Sequence, residues 1–193
     1  MASILETIDD VASQLKHLPE KSHLVYIGRF CPMHYGHQAL IGGICAAAGN
    51  SHQIFIGSCN KPLSYRNMFD FSDRYTFITE VFPKANVMPL PDFDKDYIWF
   101  EALDSCVRSK GIDPKEVIFV GGCEEDVQWY RDFGRKVVIV NRFAGLTVNI
   151  SGTEIRDHLI GGNLEKLKTF LDPKIAELVA DKFRVQYDKL RKL

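Results

Sequence analysis

The chain has 193 residues, of which 46% are hydrophobic and 25% are charged, and these proportions are typical of one globular domain that buries a sizeable core. Its 24 basic and 25 acidic side chains give a formal net charge of −1, so no positive excess can neutralise a nucleic-acid backbone, and we predict no nucleic-acid partner. The five cysteines are widely spaced and form no C-x-x-C pair, which predicts reduced thiols in a cytoplasmic protein rather than a zinc site or disulfides.

The first predicted element is an amphipathic helix over residues 1–18. Its apolar side chains recur at helical spacing and Pro19 ends the run: Ile4, Ile8, Val11, Leu15 and Leu18. The acidic residues of this segment do not fit a secretory signal, and no stretch of roughly 18 apolar residues predicts a membrane span. We assign residues 1–22 to an N-terminal helical extension and residues 23–193 to the main domain, which includes the C-terminal helices.

Strand and helix patterns then alternate along the chain. Five short apolar, β-rich runs predict strands, at residues 24–28, 53–57, 86–90, 116–121 and 136–140. Helical patterns separate them, near residues 37–48, 72–82, 97–109 and 124–133. This alternation predicts an α/β protein with a Rossmann-like, doubly wound, five-stranded parallel sheet and with helices added at both termini. Ligands of such sheets bind beyond the carboxyl ends of the strands.

The tail of the chain is predicted to be helical. Ser151 precedes a helix that ends at Gly161–Gly162, and Asp172–Pro173 opens the last helix.

The first strand leads directly into a segment, residues 28–37, that carries two histidines in an H-x-G-H arrangement. The following helix starts there, so its free N–H groups and dipole favour an anion, and glycine lets the backbone approach that anion closely. His34 and His37 add two imidazole donors at the same point. We therefore predict a phosphate site; the alternative is that one histidine only caps the helix.

A second motif, I-S-G-T-E-I-R at residues 150–156, follows the fifth strand. Ser151 and Glu154 fit a capping box, which alone would explain both residues. A capping box does not explain Thr153 or Arg156, and hydroxyls with an arginine at a helix N-terminus are typical of a second anion site.

Together, the two motifs resemble the H-x-G-H and I-S-x-T-x-x-R signatures of the nucleotidyltransferase superfamily, and both are complete here. Within it, residues 24–162 are similar to the archaeal-type nicotinamide-mononucleotide adenylyltransferases. Two segments match that family, Gly28-Arg29-Phe30 and Ile56-Gly57-Ser58. A third, Pro91-Asp92-Phe93 with Ile98-Trp99, resembles the family's P-D-I…[LI]-W segment. A fourth, residues 66–69 with Asp73-Arg74, departs from it, because Met68 replaces a proline and Asp73 a glutamate.

This resemblance implies a division of the site between two substrates. His34, His37, Arg29 and Arg156 would be the catalytic residues that hold the ATP phosphates. The full ATP-binding set would add further residues from the same loops and strand ends: Gly28, Phe30, Gly36, Gly121, Asn141, Ser151 and Thr153. The mononucleotide would contact Arg66, Asp92, Phe93, Asp96 and Trp99.

Some of these roles have plain structural alternatives. Trp99 could be a core aromatic of its helix, and Arg66 an ordinary surface arginine. Asp96 stands where the family pattern usually has asparagine, and it could either face the pyridine ring or act as a first-turn helix acid.

The implied reaction is adenylyl transfer from ATP to nicotinamide mononucleotide, which forms NAD and pyrophosphate. The acceptor is a phosphate monoester with a second pKa of about 6, so it needs no general base. Mg²⁺ would enter mainly on the ATP phosphates, and no protein metal ligands are predicted.

Alternatives remain open. The acceptor could be nicotinate mononucleotide, phosphopantetheine or, with CTP, an alcohol phosphate, and the chain could be a non-catalytic nucleotide-sensing regulator. A fragment of a class I aminoacyl-tRNA synthetase is disfavoured, since no K-M-S-K-S-like loop is present. A homo-oligomer is compatible with the sequence.

Overall fold

A parallel sheet of five strands forms the centre of the protein. The computed structural model describes residues 4–20, 22–141 and 151–190, so residues 1–3 of the first predicted helix and Ile150 of the second motif lie outside the described residues. The strands are β1 (His23–Gly28), β2 (His52–Ile56), β3 (Val87–Pro89), β4 (Val117–Gly121) and β5 (Lys136–Ile139). Their order is β3-β2-β1-β4-β5, which confirms the predicted doubly wound sheet.

Helices follow the strands closely as predicted. They are α1 (Ile4–Leu15), α2 (Tyr35–Ala48), α3 (Phe71–Val81), α4 (Asp96–Arg108), α5 (Glu124–Asp132), α6 (Gly152–Ile160), α7 (Leu164–Leu167) and α8 (Pro173–Leu190). The four-residue α7 was not predicted, because so short a helix has no periodic pattern to detect. Helix α2 begins two residues before the predicted start at residue 37, since the extended backbone of His34 already accepts the first helical bond from Gln38.

Alternate residues of the strands pack against two separate helical layers. In β1, Leu24 and Tyr26 belong to the larger core with α1, α2, α3, α6, α7 and α8, whereas Val25 belongs to the smaller core with α4 and α5. The same alternation holds in β2, where Phe55 faces α4. The period of two along each strand therefore produces a three-layer α/β/α arrangement.

Helix α1 packs along α2 at a pair of glycines. A Cβ atom added to Gly43 would lie 2.2 Å from Val11 Cγ1, and one added to Gly42 would lie 2.7 Å from Ile8 Cδ1. The two helices can approach closely only because α2 has no side chains there. Val11 and Leu15 are consequently buried in the main core, as expected for the apolar face of an amphipathic helix.

Two buried histidines lie at the amino ends of the central strands. Both ring nitrogens of His23 lack a hydrogen-bond partner within the described parts of the chain, and burial beside His52 lowers the pKa of His23 to about 4. His52 Nε2 accepts from the Asn86 backbone N–H at 3.1 Å, and its Nδ1 lies 2.6 Å from the Gly49 carbonyl oxygen. Burial also lowers the pKa of His52, so both imidazoles are neutral at neutral pH.

We expect the protein to lose stability as the pH falls below about 6.5, the usual pKa of histidine in an unfolded chain. Below that pH the unfolded chain binds a proton at His23, whereas the buried imidazole of the folded protein binds one only near pH 4. From His23 alone, the free energy of unfolding should fall by about 2 kcal/mol between pH 7 and pH 5. Urea denaturation at both pH values measures this loss. It should shrink in His23→Leu but persist in His17→Leu, an exposed histidine; equal losses in both would contradict the assignment.

Candidate active site

A cavity of about 390 Å³ opens at the carboxyl ends of β1 and β4, where the direction of strand winding reverses. Three arginines and two histidines line it: Arg29, Arg66, Arg156, His34 and His37. Among the described lining residues, Asp126 supplies the one carboxylate. Two helices, α2 and α6, point their N-termini toward this region, so both the side chains and the helix dipoles favour an anion.

The loop after β1 places the two histidines in contact. The His34 and His37 rings stack with centroids 3.8 Å apart, and Phe30 meets His37 edge-on at 5.1 Å. Phe30 has a φ of +50° and its ring lies under Gly28, where an added Cβ would stand 2.8 Å from the ring. Gly28 is thus required by the close approach of Phe30. The His34 side chain does not cap α2, which disfavours the simple capping interpretation.

Helix α6 supplies the opposite wall of the cavity. Ser151 Oγ accepts from the Glu154 N–H at 3.2 Å, which forms one half of the predicted capping box. Arg156 folds back along the helix: Nη2 donates to Thr153 Oγ1 at 2.9 Å and Nη1 donates to the Cys31 carbonyl at 3.2 Å. These contacts join the two sequence motifs, 125 residues apart along the chain, into one site.

Most of the residues predicted to bind ATP line this cavity together: Gly28, Arg29, Phe30, His34, His37, Ser151, Thr153 and Arg156. Gly36, Gly121 and Asn141 are not among its described lining residues. A Cβ on Gly121 would lie 2.3 Å from Val127 Cγ1, so the close packing of α5 against β4 explains this glycine. The Asn141 N–H donates to Gln14 Oε1 of α1 at 3.0 Å, which ties the predicted extension to the end of β5.

The residues predicted to bind the mononucleotide lie in two adjoining cavities. One of about 490 Å³ is lined by Lys61, Asp92, Phe93, Asp96, Trp99 and Trp129. The other, of about 350 Å³, shares Lys61 and Asp92 with it and shares Arg29 and Arg66 with the main cavity. The middle cavity therefore adjoins each of the other two through common lining residues.

Trp99 is both an aromatic residue of the helix core and a lining residue of a cavity. Its ring packs on Phe100 at 5.1 Å and on Trp129 at 5.0 Å, yet it is only half-buried and lines the outer cavity. Trp129 was not predicted as a site residue, because it lies on α5 and meets Trp99 only when α4 and α5 share one face of the sheet. The sequence offers no signal for it beyond its aromatic character. Tyr26, Lys61, Asp126 and Tyr130 also line these cavities and were not predicted, because no local sequence pattern shows which side chains of separate elements meet at a site.

A fully buried arginine, Arg74, supports the loops around the site. Its Nη1 donates to the carbonyls of Gly57 at 2.8 Å and Arg29 at 3.0 Å, and Nη2 lies 3.4 Å from the Ser58 carbonyl. Ser58 has a φ of +52°, a conformation that persists in a non-glycine residue only when its surroundings hold it. Arg74 therefore fixes the carboxyl ends of β1 and β2, including the backbone of Arg29.

Cys31 is the one thiol among the described residues that line the cavity. Burial raises the pKa of the Cys31 thiol, so this thiol stays protonated at neutral pH. Within residues 4–20, 22–141 and 151–190, no group of three or more His, Cys, Asp or Glu side chains is placed to hold a metal ion. None of the helices described in these ranges is long and apolar enough to cross a membrane.

Comparison with known proteins identifies the family. The sequence profile of the cytidylyltransferase-like family matches residues 25–158, which is more than half of the chain. The chain belongs to the cytidylyltransferase-like family. This confirms the resemblance predicted from the two motifs, both of which contribute to the cavity of this cytidylyltransferase-like chain.

Relatives with similar sequences are found in archaea. The nicotinamide-nucleotide adenylyltransferase of Methanosarcina acetivorans is 28% identical over 160 residues, which cover 81% of this chain and 86% of the relative. The protein of the same name from Methanocorpusculum labreanum is 25% identical over 161 residues, which cover 81% of this chain and 89% of the relative.

Solved structures from Francisella tularensis share the cytidylyltransferase-like fold. A bifunctional NMN adenylyltransferase/ADP ribose pyrophosphatase superposes with a TM-score of 0.67 at 23% identity, covering 88% of this chain and 56% of that one. A complex of such a protein with AMP and a manganese ion gives the same TM-score of 0.67 at 22% identity, covering 89% and 53%. This chain therefore spans just over half the length of the solved structures, and the likeness shows the fold.

Proposed function

We propose that this chain is a nicotinamide-nucleotide adenylyltransferase, which transfers the adenylyl group of ATP to nicotinamide mononucleotide and releases NAD and pyrophosphate. The observation that carries this proposal is the path from an arginine- and histidine-lined cavity, through Arg66, to a cavity walled by Trp99 and Trp129. Such a path suits a triphosphate at one end and an aromatic base at the other. The names of the Methanosarcina and Methanocorpusculum relatives support the same activity.

The reaction forms a bond between the acceptor's phosphate oxygen and the α-phosphorus of ATP, and it breaks the bond between the α-phosphorus and the bridging oxygen of the leaving pyrophosphate. The acceptor phosphate is largely ionised at neutral pH, so no base is required. In this proposal His34, His37, Arg29 and Arg156 neutralise the charge that grows on the triphosphate, and Arg66 holds the acceptor phosphate in line with it.

The donor groups of the cavity suit a magnesium ion carried on the substrate. Arginine side chains do not ligate Mg²⁺, and the lining residues within the described ranges include one carboxylate, that of Asp126, whose Oδ2 accepts from the Gly122 N–H at 3.0 Å. Phosphate oxygens and water are the ligands that Mg²⁺ favours in such sites. When bound there, the ion would withdraw charge from the phosphates, and the arginines would hold the same phosphates from the protein side.

Three further assignments belong to this proposal. Residues 1–22 form an extension to a nucleotidyltransferase domain at residues 23–193, in agreement with a family match that starts at residue 25. The protein acts in the cytoplasm on ATP and nicotinamide mononucleotide, with no nucleic-acid or membrane partner. Assembly into a homo-oligomer is compatible with these roles.

Incubation with ATP, nicotinamide mononucleotide and Mg²⁺ should yield NAD and an equal amount of pyrophosphate. Chelation of the divalent ion with EDTA should abolish both products, because the triphosphate then lacks a counter-ion. Chromatography and a pyrophosphate assay measure the two products. Undiminished activity in EDTA would contradict the metal assignment. If no pyrophosphate forms with any acceptor while ATP still binds, the chain is a nucleotide-binding regulator instead.

Acceptor preference depends on Asp96, the first residue of α4. Its carboxylate is exposed and lines the cavity that also contains Trp99. Nicotinamide presents an amide that can donate to this carboxylate, whereas nicotinate presents a second negative charge that repels it. Because Asp96 is solvated, we expect a repulsion of about 1 kcal/mol, which corresponds to about fivefold in specificity constant.

We therefore expect wild-type protein to prefer nicotinamide over nicotinate mononucleotide, and this preference to weaken about fivefold in Asp96→Asn. The ratio of kcat/KM for the two acceptors measures it. Asp94→Asn is the matched control, because Asp94 is exposed just before α4 but is not among the described residues that line the cavity. An unchanged ratio in Asp96→Asn would show that Asp96 serves only as a first-turn acid of α4.

A further inference from the structure

A tight turn places Tyr65 and Arg66 side by side between the two substrate regions. Ser64 and Asn67 close this turn: each backbone N–H donates to the other residue's carbonyl, at 3.2 Å and 3.0 Å. The buried Asn67 side chain donates to the Lys61 carbonyl at 3.0 Å, which anchors the base of the turn. Tyr65 and Arg66 are its two central residues, so their backbone positions are coupled.

The Tyr65 side chain reaches from this turn to α6. Its hydroxyl donates to Asp157 Oδ1 at 2.5 Å, and the Arg156 guanidinium lies 5.2 Å from the ring centroid. This hydrogen bond connects residues 92 positions apart in the sequence. The bond to a carboxylate is charge-assisted, and it raises the pKa of Tyr65, so the hydroxyl remains a donor throughout the neutral range.

The neighbouring Arg66 lines both the main cavity and the adjoining one. Arg156 is itself held by Thr153 and by the Cys31 carbonyl, so it offers a fixed surface to the Tyr65 ring. Within the described structure the Tyr65 hydroxyl is the group of the turn that hydrogen-bonds to α6, chiefly to Asp157. Loss of this bond should leave the base of the turn intact but free its tip, and with it Arg66.

We propose that Tyr65 is a positioning residue for the acceptor: it fastens the turn that carries Arg66 to α6, the helix that carries Arg156. One contact thereby sets the distance between the group that holds the acceptor phosphate and the group that holds the donor phosphates. The proposal rests on the proposed adenylyl transfer for the roles of Arg66 and Arg156. Asp157 acts with Tyr65 as the anchor on α6.

Tyr65→Phe removes the hydroxyl and keeps the ring beside Arg156. We expect it to raise the KM for nicotinamide mononucleotide about tenfold, as loss of a hydrogen bond to a charged group predicts, while the KM for ATP changes less than about twofold. Tyr75→Phe is the matched control, since Tyr75 is 42% exposed and Tyr65 is 43% exposed. Asp157→Ala should reproduce the effect of Tyr65→Phe, and Asp157→Asn, which keeps an acceptor oxygen, should largely restore the wild-type KM.

The double variant Tyr65→Phe/Asp157→Ala should be no worse than either single variant, because both remove the same bond. Hydrogen exchange offers a readout independent of the reaction: amides of residues 59–68 should exchange faster in Tyr65→Phe, with an unchanged Tm. If the wild type makes no NAD, the proposed function fails, and hydrogen exchange still tests the contact. If the wild type is active but Tyr65→Phe changes neither the acceptor KM nor the exchange, Tyr65 does not position the turn.

Discussion

Replacement of His37 by alanine should lower kcat about 100- to 1000-fold with little loss of folding stability, because removal of one donor to transition-state charge typically has that effect. Neighbouring rings hold the imidazole in place, since it stacks on His34 at 3.8 Å and meets Phe30 at 5.1 Å, and it borders the cavity beside Arg29. Because these two rings hold the imidazole, its donor is preorganised at the edge of the cavity.

Steady-state kinetics and thermal unfolding of the same preparation test this expectation. His17→Ala is the matched control, because His17 is exposed outside the site. His37→Gln, which keeps a neutral side-chain donor, should recover part of the lost kcat. A folded His37→Ala protein that turns over at the wild-type rate would show that His37 only packs against Phe30 and His34.

Arg156→Ala is the second substitution expected to have a large effect. We expect kcat to fall about 100-fold or more, since the substitution removes a guanidinium that we propose holds the donor phosphates. Lysine should rescue poorly, because its single ammonium cannot donate to Thr153, to the Cys31 carbonyl and to a phosphate in the same geometry. Unlike His37→Ala, this variant should also raise the KM for the mononucleotide, since Tyr65 rests against the guanidinium.

Arg184→Ala provides the control, because Arg184 is an exposed arginine of α8 that pairs only with a nearby carboxylate, Asp181, in the described structure. If Arg156→Ala has the same kcat and the same Tm as the wild type, Arg156 does not hold the ATP phosphates. A large fall in Tm with normal kcat in the folded fraction would instead make Arg156 a structural tie between α6 and the Cys31 loop.

The sequence alone determined the order of the main elements and the position of both predicted phosphate-binding motifs. These features depend on local patterns: runs of β-branched residues, helical periodicity, and glycine, serine or proline at the ends of elements. The doubly wound topology follows, because strands linked through helices must lie parallel. For the same reason H-x-G-H after β1 and S-G-T-E-I-R at the start of α6 were expected at one edge of the sheet, and they meet there through Arg156 and Cys31.

The side-chain partners across the site were decided only by the tertiary structure. Trp129 meets Trp99 because α4 and α5 cover the same face of the sheet, and Arg74 reaches Arg29 and Gly57 because β1 and β2 are neighbours. Tyr65 finds Asp157 across a turn and a helix that no local pattern connects. Such contacts depend on strand order, on helix rotation and on the length of single side chains, so the periodicity of any one segment contains no information about them.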